Sequence, residues 1–438
     1  MKKLKRRPLL IAAIGLIAVI AVSTLIIYEN GVLNPEGSNV LWQRNIENFA
    51  TALATDNGKV FTMDISGNVN CYDNQTGKSI WNGSSVGGYF AAGLTVAEGR
   101  VYGGYRHASV GCLGEATGQF QWSYSTNLEN LAPDNIIAKD GRVFVISQAP
   151  SAGVSALNAS AGLVLWQTPY RFDIFGNISD SKTWWVAGYP LGGDPFEGSA
   201  VYALGGNESN PNIFKLNTDD GSVLWHSNLT SFAGIPSVLS TYQGQVVIES
   251  SAQIISLNQT SGENLWSKDI GVTIYSPTIY RGVLLFGASD GNFYGLDLQS
   301  GAVSCQTKVD SQGFLKQTNG DLTLYPIQVD PANQRIYWSF GVSQQNQFKA
   351  TLVSLDLATC KVAWTRQIQD SGLSSESQAG LAINKDSVFL TENNALWVFS
   401  ASNGNLVRNQ HFDHYVLAPV AIGDTVFAAS DLHLTAYK

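Results

Sequence analysis

Charge is scarce in this chain. Charged residues make up 14% of its 438, with 26 Lys and Arg against 34 Asp and Glu and a formal net charge of −8. Beyond Lys2, Lys3, Lys5, Arg6 and Arg7 no basic run occurs, so the electrostatic footprint of a nucleic-acid-binding protein is missing. Histidine and cysteine are few, five and four. There is no Gly-x-Ser-x-Gly elbow, phosphate-binding Gly-rich loop or His-Glu-x-x-His, which removes the signatures of the common serine hydrolases, nucleotide hydrolases and zinc proteases. His411 and His414, in His-Phe-Asp-His, have no further ligand beside them and read as a surface loop rather than a metal site. What the chain has in quantity is glycine (43), tryptophan (11) and hydrophobic residues (44%). That mixture suits short strands joined by tight turns, because glycine supplies the positive φ angles turns need.

The five early cations precede an unbroken apolar stretch over residues 9–28. Twenty residues at ~1.5 Å each span ~30 Å, the thickness of a bilayer core. The stretch exceeds the apolar core of a signal peptide, about 7–15 residues, which favours a retained anchor over a leader cleaved near Ala21-Val22-Ser23. Positive charges stay cytoplasmic, so residues 1–8 form a cytoplasmic tail, 9–28 a single-pass transmembrane helix and 29–37 a linker, with residues 38–438 outside the cytoplasm. No cysteine lies near the apolar stretch, which excludes a lipid-modified cysteine anchor. Seven Asn-x-Ser/Thr sequons, at Asn74, Asn82, Asn158, Asn177, Asn207, Asn228 and Asn258, are compatible with an exported glycoprotein.

One unit recurs from there to the end. It holds short β-rich runs separated by turns and finishes on small-x-Asp/Asn-x-x-Thr/Ser-Gly-x-x-x-Trp. The clearest copy is Cys71-Tyr72-Asp73-Asn74-Gln75-Thr76-Gly77-Lys78-Ser79-Ile80-Trp81; others end at Trp122, Trp166, Trp225, Trp266 and Trp364, and degenerate ones at Cys305 and Arg408. Runs such as Val60-Phe61, Val101-Tyr102, Trp184-Trp185 and Val388-Phe389 mark the second strand of each unit, and nine of them can be counted. Four short strands per unit predict propeller blades. The last unit stops after its third strand, at Leu434 to Lys438, while the region opens on a lone fourth strand around Trp42. Joining them closes a ring through a composite blade and removes two sheet edges.

The eleven-residue motif resembles the tryptophan-docking repeat of the pyrroloquinoline quinone (PQQ) propellers, the superfamily of the quinoprotein alcohol dehydrogenases and of the non-catalytic assembly lipoprotein BamB. The resemblance runs from Gly37 to Lys438. It implies an all-β, closed propeller of four-stranded blades, usually eight in the family, so the nine units here leave the number open. It also implies that Trp42, Trp81, Trp122, Trp166, Trp225, Trp266 and Trp364 pack over the small residues and turns of neighbouring motifs. The small position is filled by Cys71, Cys112, Ala156, Ser256, Gly295, Ser354 and Ala436, with Lys215 and Val398 as departures.

Against that repeat, Cys71 and Cys112 read as buried packing thiols. Cys305 stands where the docking Trp belongs and Cys360 where the next unit has its turn Gly. Both partners of one docking contact have become cysteine, so a Cys305–Cys360 disulfide is expected in place of the missing staple.

The resemblance carries two functional readings. A PQQ-dependent dehydrogenase would need Ca²⁺ on the quinone and a carboxylate base. The chain has no Cys-Cys pair, no recognisable calcium loop and no Cys-x-x-Cys-His haem motif, and Asp64 and Asp290 sit in hairpin turns, where backbone capping is the ordinary role. The favoured reading is therefore a non-catalytic scaffold without cofactor, binding an envelope protein or a glycan. Extra length falls mainly between second and third strands, at residues 103–109, 147–153, 186–211 and 341–349, which places a binding surface on one face. Candidate contacts there are Tyr105, Arg106 and His107, then Tyr189, Asp194, Phe196, Glu197, Asn207 and Asn210.

Overall fold

The computed structural model describes residues 32–33, 39–86, 93–105, 109–125, 136–147, 153–168, 186–187, 196–207, 210–229, 237–250, 252–316, 322–344, 347–371, 379–430 and 432–438. The apolar stretch at 9–28 lies outside them, as do Asn177 and the residues around it. Among the described residues no helix is long and apolar enough to cross a membrane.

Strands begin and end where the chain chemistry dictates. In blades 1, 2, 3, 5 and 6 the first and second strands are joined by two-residue turns, Asn57-Gly58, Glu98-Gly99, Asp140-Gly141, Gln243-Gly244 and Arg281-Gly282, with both residues at positive φ. That twist matches the twist of the flanking strands. The second and third strands are the most buried: Val60, Phe61 and Met63 face Val69, Cys71 and Tyr72, all nearly or wholly inaccessible. The fourth strand alternates exposed and half-buried residues, as an outer edge should.

Nine sheets result. Blades 1 to 8 run in chain order, and blade 9 is composite: Val420–Ile422, Thr425–Ser430 and His433–Tyr437 are completed by Val40–Asn45. Nine apolar clusters fill the spaces between consecutive sheets, each drawing on two neighbours, and the ninth joins Trp42 and Phe427 of blade 9 to Val60 and Tyr72 of blade 1. The ring is closed with nine blades. First strands of neighbouring blades approach one another, so they are the innermost.

Because each sheet is an antiparallel meander, first–second and third–fourth turns share one face, here the turn face. Second–third hairpins and blade-to-blade connections share the other, the loop face.

Three expectations need correction. The second strand of blade 4 is Ala200–Asn207, whereas Trp184-Trp185, expected to be that strand, lies outside the described residues; Ala200–Asn207 joins Asn210–Asn217 in a hairpin closed by Asn207 opposite Asn210. The insertion at 186–199 therefore precedes the second strand instead of following it, and includes the short first-strand pieces Val186–Ala187 and Phe196–Glu197. Residues 341–344 and 347–349 do not form a loop. They continue the ten-residue strands Arg335–Gln344 and Gln347–Asp356, paired without interruption to Gln344 opposite Gln347, so blade 7 rises above its neighbours on the loop face. Within the segment expected to be linker, Val32–Leu33 pairs with Val40–Asn45 and adds a fifth strand to blade 9.

Candidate functional site

The turn face is fixed by the docking belt. In register, every docking position lies opposite the small position of its own blade: Cys71 and Trp81, Cys112 and Trp122, Ala156 and Trp166, Ser256 and Trp266, Gly295 and Cys305, Ser354 and Trp364, Ala436 and Trp42. The small residue thus makes room for the indole within a blade, while only the turn belongs to the neighbour. Each indole N–H donates to a turn carbonyl of the next blade: Trp42 to Asn74 (3.1 Å), Trp81 to Glu115 (2.8 Å), Trp122 to Ala159 (2.9 Å), Trp166 to Thr218 (2.8 Å), Trp225 to Gln259 (3.1 Å), Trp266 to Leu298 (3.0 Å) and Trp364 to Ala401 (3.1 Å). The ring lies against the turn glycine. A Cβ on Gly77, Gly162, Gly221, Gly262, Gly301 or Gly404 would meet indole carbons at 2.5–2.8 Å, and each has φ between 66° and 74°. Glycine is required twice over, by backbone conformation and by close approach.

The departures follow from the same geometry. Cys305 and Cys360 are joined, with Cα atoms 6.1 Å apart. Cys360 holds the glycine conformation at φ 55°, and it has room for a side chain because no indole covers it. Arg408 faces blade 9, whose third and fourth strands are not joined by a turn, so there is no glycine to dock on; its guanidinium lies over the Tyr437 ring instead, 5.7 Å from the centroid. Lys215, opposite Trp225, sends its ammonium to the Gln259 carbonyl (2.8 Å) that Trp225 also uses. Cys71 and Cys112 are free, buried thiols, and burial pushes each up to about 12, so neither is a nucleophile at neutral pH.

The turns are capped by a carboxylate or an amide at the same position. Asp73 accepts from the Thr76 hydroxyl (2.6 Å) and from the Thr76 and Gln75 amides; Asn158 accepts likewise from Ser160 and Ala161. These bonds, from the Thr76, Ser300 and Thr359 hydroxyls first, hold the Asp73, Asp297 and Asp356 carboxyls below their ordinary range. Their folded-state pKa is depressed, so the stability they contribute is present above about pH 4 and is lost as pH falls through the folded values. The triple variant Asp73→Asn, Asp297→Asn, Asp356→Asn, which puts the amide of Asn158 and Asn258 in those turns, is expected to flatten the fall in unfolding temperature between pH 5 and pH 2. Thermal unfolding across that range checks it.

Asp64 and Asp290 are hairpin caps, as expected. Asp64 accepts from the Ser66 and Asn68 amides at 2.9 Å. Burial works to raise the Asp290 carboxyl, and donors from Tyr294 (2.7 Å) and Asn292 outweigh it and hold it low. His411 pairs with Asp370 of the adjacent blade at 2.9 Å, and His414 lies at a tilt against Phe49. Among the described residues no three His, Cys, Asp or Glu gather as metal ligands. In first strands with described side chains, the only carboxylates are Asp56 and Asp330, at strand ends, engaged by Asn57 and Asn333. An oxygen cage for Ca²⁺ beside a quinone does not fit this lining.

The candidate contact residues are distributed unevenly. Arg106, His107, Tyr189 and Asp194 lie outside the described residues. The backbones of Tyr105, Asn207 and Asn210 stand at loop-face hairpin ends of blades 2 and 4, opposite Ser109 and opposite one another. Phe196 and Glu197 pair with Val201 and Ala200 at the turn-face end of blade 4, away from the rest. Sequence reasoning placed extra length at 341–349 on this face but read it as loop, where the structure continues the paired strands of blade 7.

A family model described as outer membrane protein assembly factor BamB matches residues 31–209 and 210–438. Among relatives, the outer membrane protein assembly factor BamB of Shewanella oneidensis is 24% identical over 315 residues, 59% of this chain and 77% of that one. Among solved structures, BamB from Moraxella catarrhalis superposes with a TM-score of 0.50 at 14% identity, over 91% of this chain and 99% of that one. A quinohemoprotein alcohol dehydrogenase from Pseudomonas putida HK5 does so at 0.50 and 13%, over 92% and 78%. At such identities a structural likeness speaks for the fold alone. With the family model spanning both halves of the ring, the chain belongs to the family of outer membrane protein assembly factor BamB, as a nine-bladed PQQ-repeat propeller.

Proposed function

We propose that this protein is a non-catalytic scaffold of the cell envelope, tethered to a membrane by residues 9–28, that holds a partner protein on its loop face. The observation that carries the reading is the asymmetry of the two faces. The turn face is consumed by docking contacts around the ring. The loop face carries the elongated hairpins of blades 4 and 7, whose strands reach eight and ten residues where most others have six. Binding surfaces sit where a rigid scaffold lets length vary, and the relatives' name, an assembly factor, is consistent with that role. The full chain with residues 342–349 replaced by a two-residue turn is expected to fold and to lose envelope proteins that the wild type captures from membrane extract. Identical captured proteins would remove the face, retention on immobilised glycans alone would make the ligand a sugar, and turnover of alcohols with PQQ and Ca²⁺ would overturn the non-catalytic reading.

A further inference from the structure

Fifteen large apolar side chains are exposed among the described residues, and twelve have one explanation. Ile80, Phe120, Leu163, Val164, Leu165, Val223, Leu224, Leu265, Val303, Val362, Leu406 and Val407 lie one to three residues before a docking position, where each blade's fourth strand begins at the turn face. The other three, Phe49 (36% exposed), Ile65 (47%) and Leu432 (43%), belong to blades 9 and 1. They come from the blade 9 to blade 1 connection and from the second–third turns of blades 1 and 9, so all three are on the loop face. Hydrogen bonds hold them together: the Ile46 amide donates to the Leu432 carbonyl (2.7 Å), and the Asn48 amide group donates to Asp64 (2.8 Å), the neighbour of Ile65. Phe49 follows Asn48 directly in the chain.

The direction of the chain brings the anchor to the same place. Val40–Asn45 is a fourth strand and runs from turn face to loop face. Val32–Leu33 is antiparallel to it, with Val32 opposite Arg44, and so enters from the loop face beside the end of that strand. Four residue steps separate position 28, the end of the apolar stretch, from Val32, a reach of at most ~14 Å. From this juxtaposition we infer that Phe49, Ile65 and Leu432 form a membrane-contact patch that inserts into the headgroup boundary of the bilayer holding the anchor. The inference rests on the anchor reading above.

Such a patch requires that the polar groups beneath it keep their partners when water leaves. The carboxylate beneath Ile65 does: Asp64, 4% exposed, accepts from the Ser66 and Asn68 amides and from the side chains of Asn48 and Asn68. Phe49 packs at a tilt against the His414 ring, centroids 4.7 Å apart, and still keeps 36% of its surface exposed for lipid. Contact at the edge of blades 9 and 1 leaves the loop face over blades 4 to 7 free for a partner.

The test uses the full chain in phosphatidylcholine vesicles, with and without brominated acyl chains. Phe49→Trp, Ile65→Trp and Leu432→Trp are compared with Leu265→Trp, equally exposed but across the ring in blade 5. The added emission of the first three is expected to be quenched at least twofold by brominated lipid, and that of Leu265→Trp to be unchanged. Equal quenching in all four overturns the patch. A carbonate wash of the wild-type vesicles separates the two readings: chain in the supernatant overturns the anchor and the patch with it, whereas chain in the pellet with the three positions unquenched overturns the patch alone.

Discussion

Cys305→Ser is expected to lose about 4 kcal/mol of unfolding free energy, the chain-entropy value for a link of separation 55, and wild type treated with a reductant should lose the same amount. The equivalence follows from the other two cysteines, which are free and buried, so a reductant acts on this pair alone. A reduced wild type as stable as the oxidised one would show that the link adds nothing. The sharper variant is Cys305→Trp with Cys360→Gly, which restores the staple used by seven other junctions. Position 295 is glycine, so the blade has room for an indole opposite it. Glycine at 360 removes a non-glycine residue from the left-handed region, a relief on the order of 1 kcal/mol, and the Leu357 carbonyl occupies the place that Leu298 and Ala401 occupy as acceptors for Trp266 and Trp364. Denaturant unfolding should place the double variant between Cys305→Ser and wild type, insensitive to reductant. Either cysteine changed alone to its family residue should fare worse, because an indole cannot lie on a side chain at 360 and a glycine there leaves Cys305 unpaired.

Much of the ring was legible because docking imposes residue types at fixed spacing. The need for a small residue opposite an indole, and for a glycine beneath it, writes the same eleven residues into unit after unit. The composite blade and the disulfide follow from reading where that text is interrupted. What misled in blade 4 was local: Trp184-Trp185 has the composition of a buried strand, while Val201-Tyr202, preceded by the Gly198 turn, looked like part of a long insertion. In blade 7 the polar run Ser343 to Gln347 carries no alternation, and only pairing across the hairpin makes Ser343, Gln344 and Gln347 strand. The two-residue strand Val32–Leu33 has no local signal at all, since its cause is an unpaired edge supplied by another part of the chain. The loop-face contact residues were the least legible part. The repeat constrains the belt and the interior, and leaves hairpin tips free to vary without any trace in the period.

The seam of the ring is where the second large effect is expected. Trp42→Ala should cost about 3–5 kcal/mol, the range for truncating a buried tryptophan. Trp42 is 2% exposed, donates to Asn74, lies on Gly77 and faces Phe427 at 5.8 Å. Trp266 makes the matching docking contact in mid-ring, with Leu298 and Gly301, while being half-buried, so Trp266→Ala removes the same staple with less packing. The consequences differ because blade 5 remains one continuous stretch of chain, whereas Val40–Asn45 is joined to His433–Tyr437 by no turn and is held through its ladder, the flanking bonds Lys438 to Asn39 and Ile46 to Leu432 (2.7 Å each), and the Trp42 and Val40 clusters. Taking the indole away weakens a sheet whose fourth strand can leave without breaking a covalent connection. Amide hydrogen exchange should therefore rise in Trp42→Ala across both 40–45 and 433–437, as a local opening of the ring. In Trp266→Ala the increase should stay near blades 5 and 6, with the seam protected. Equal protection of the seam in the two variants would mean that closure depends on the whole ring of interfaces and not on the tryptophan that joins its ends.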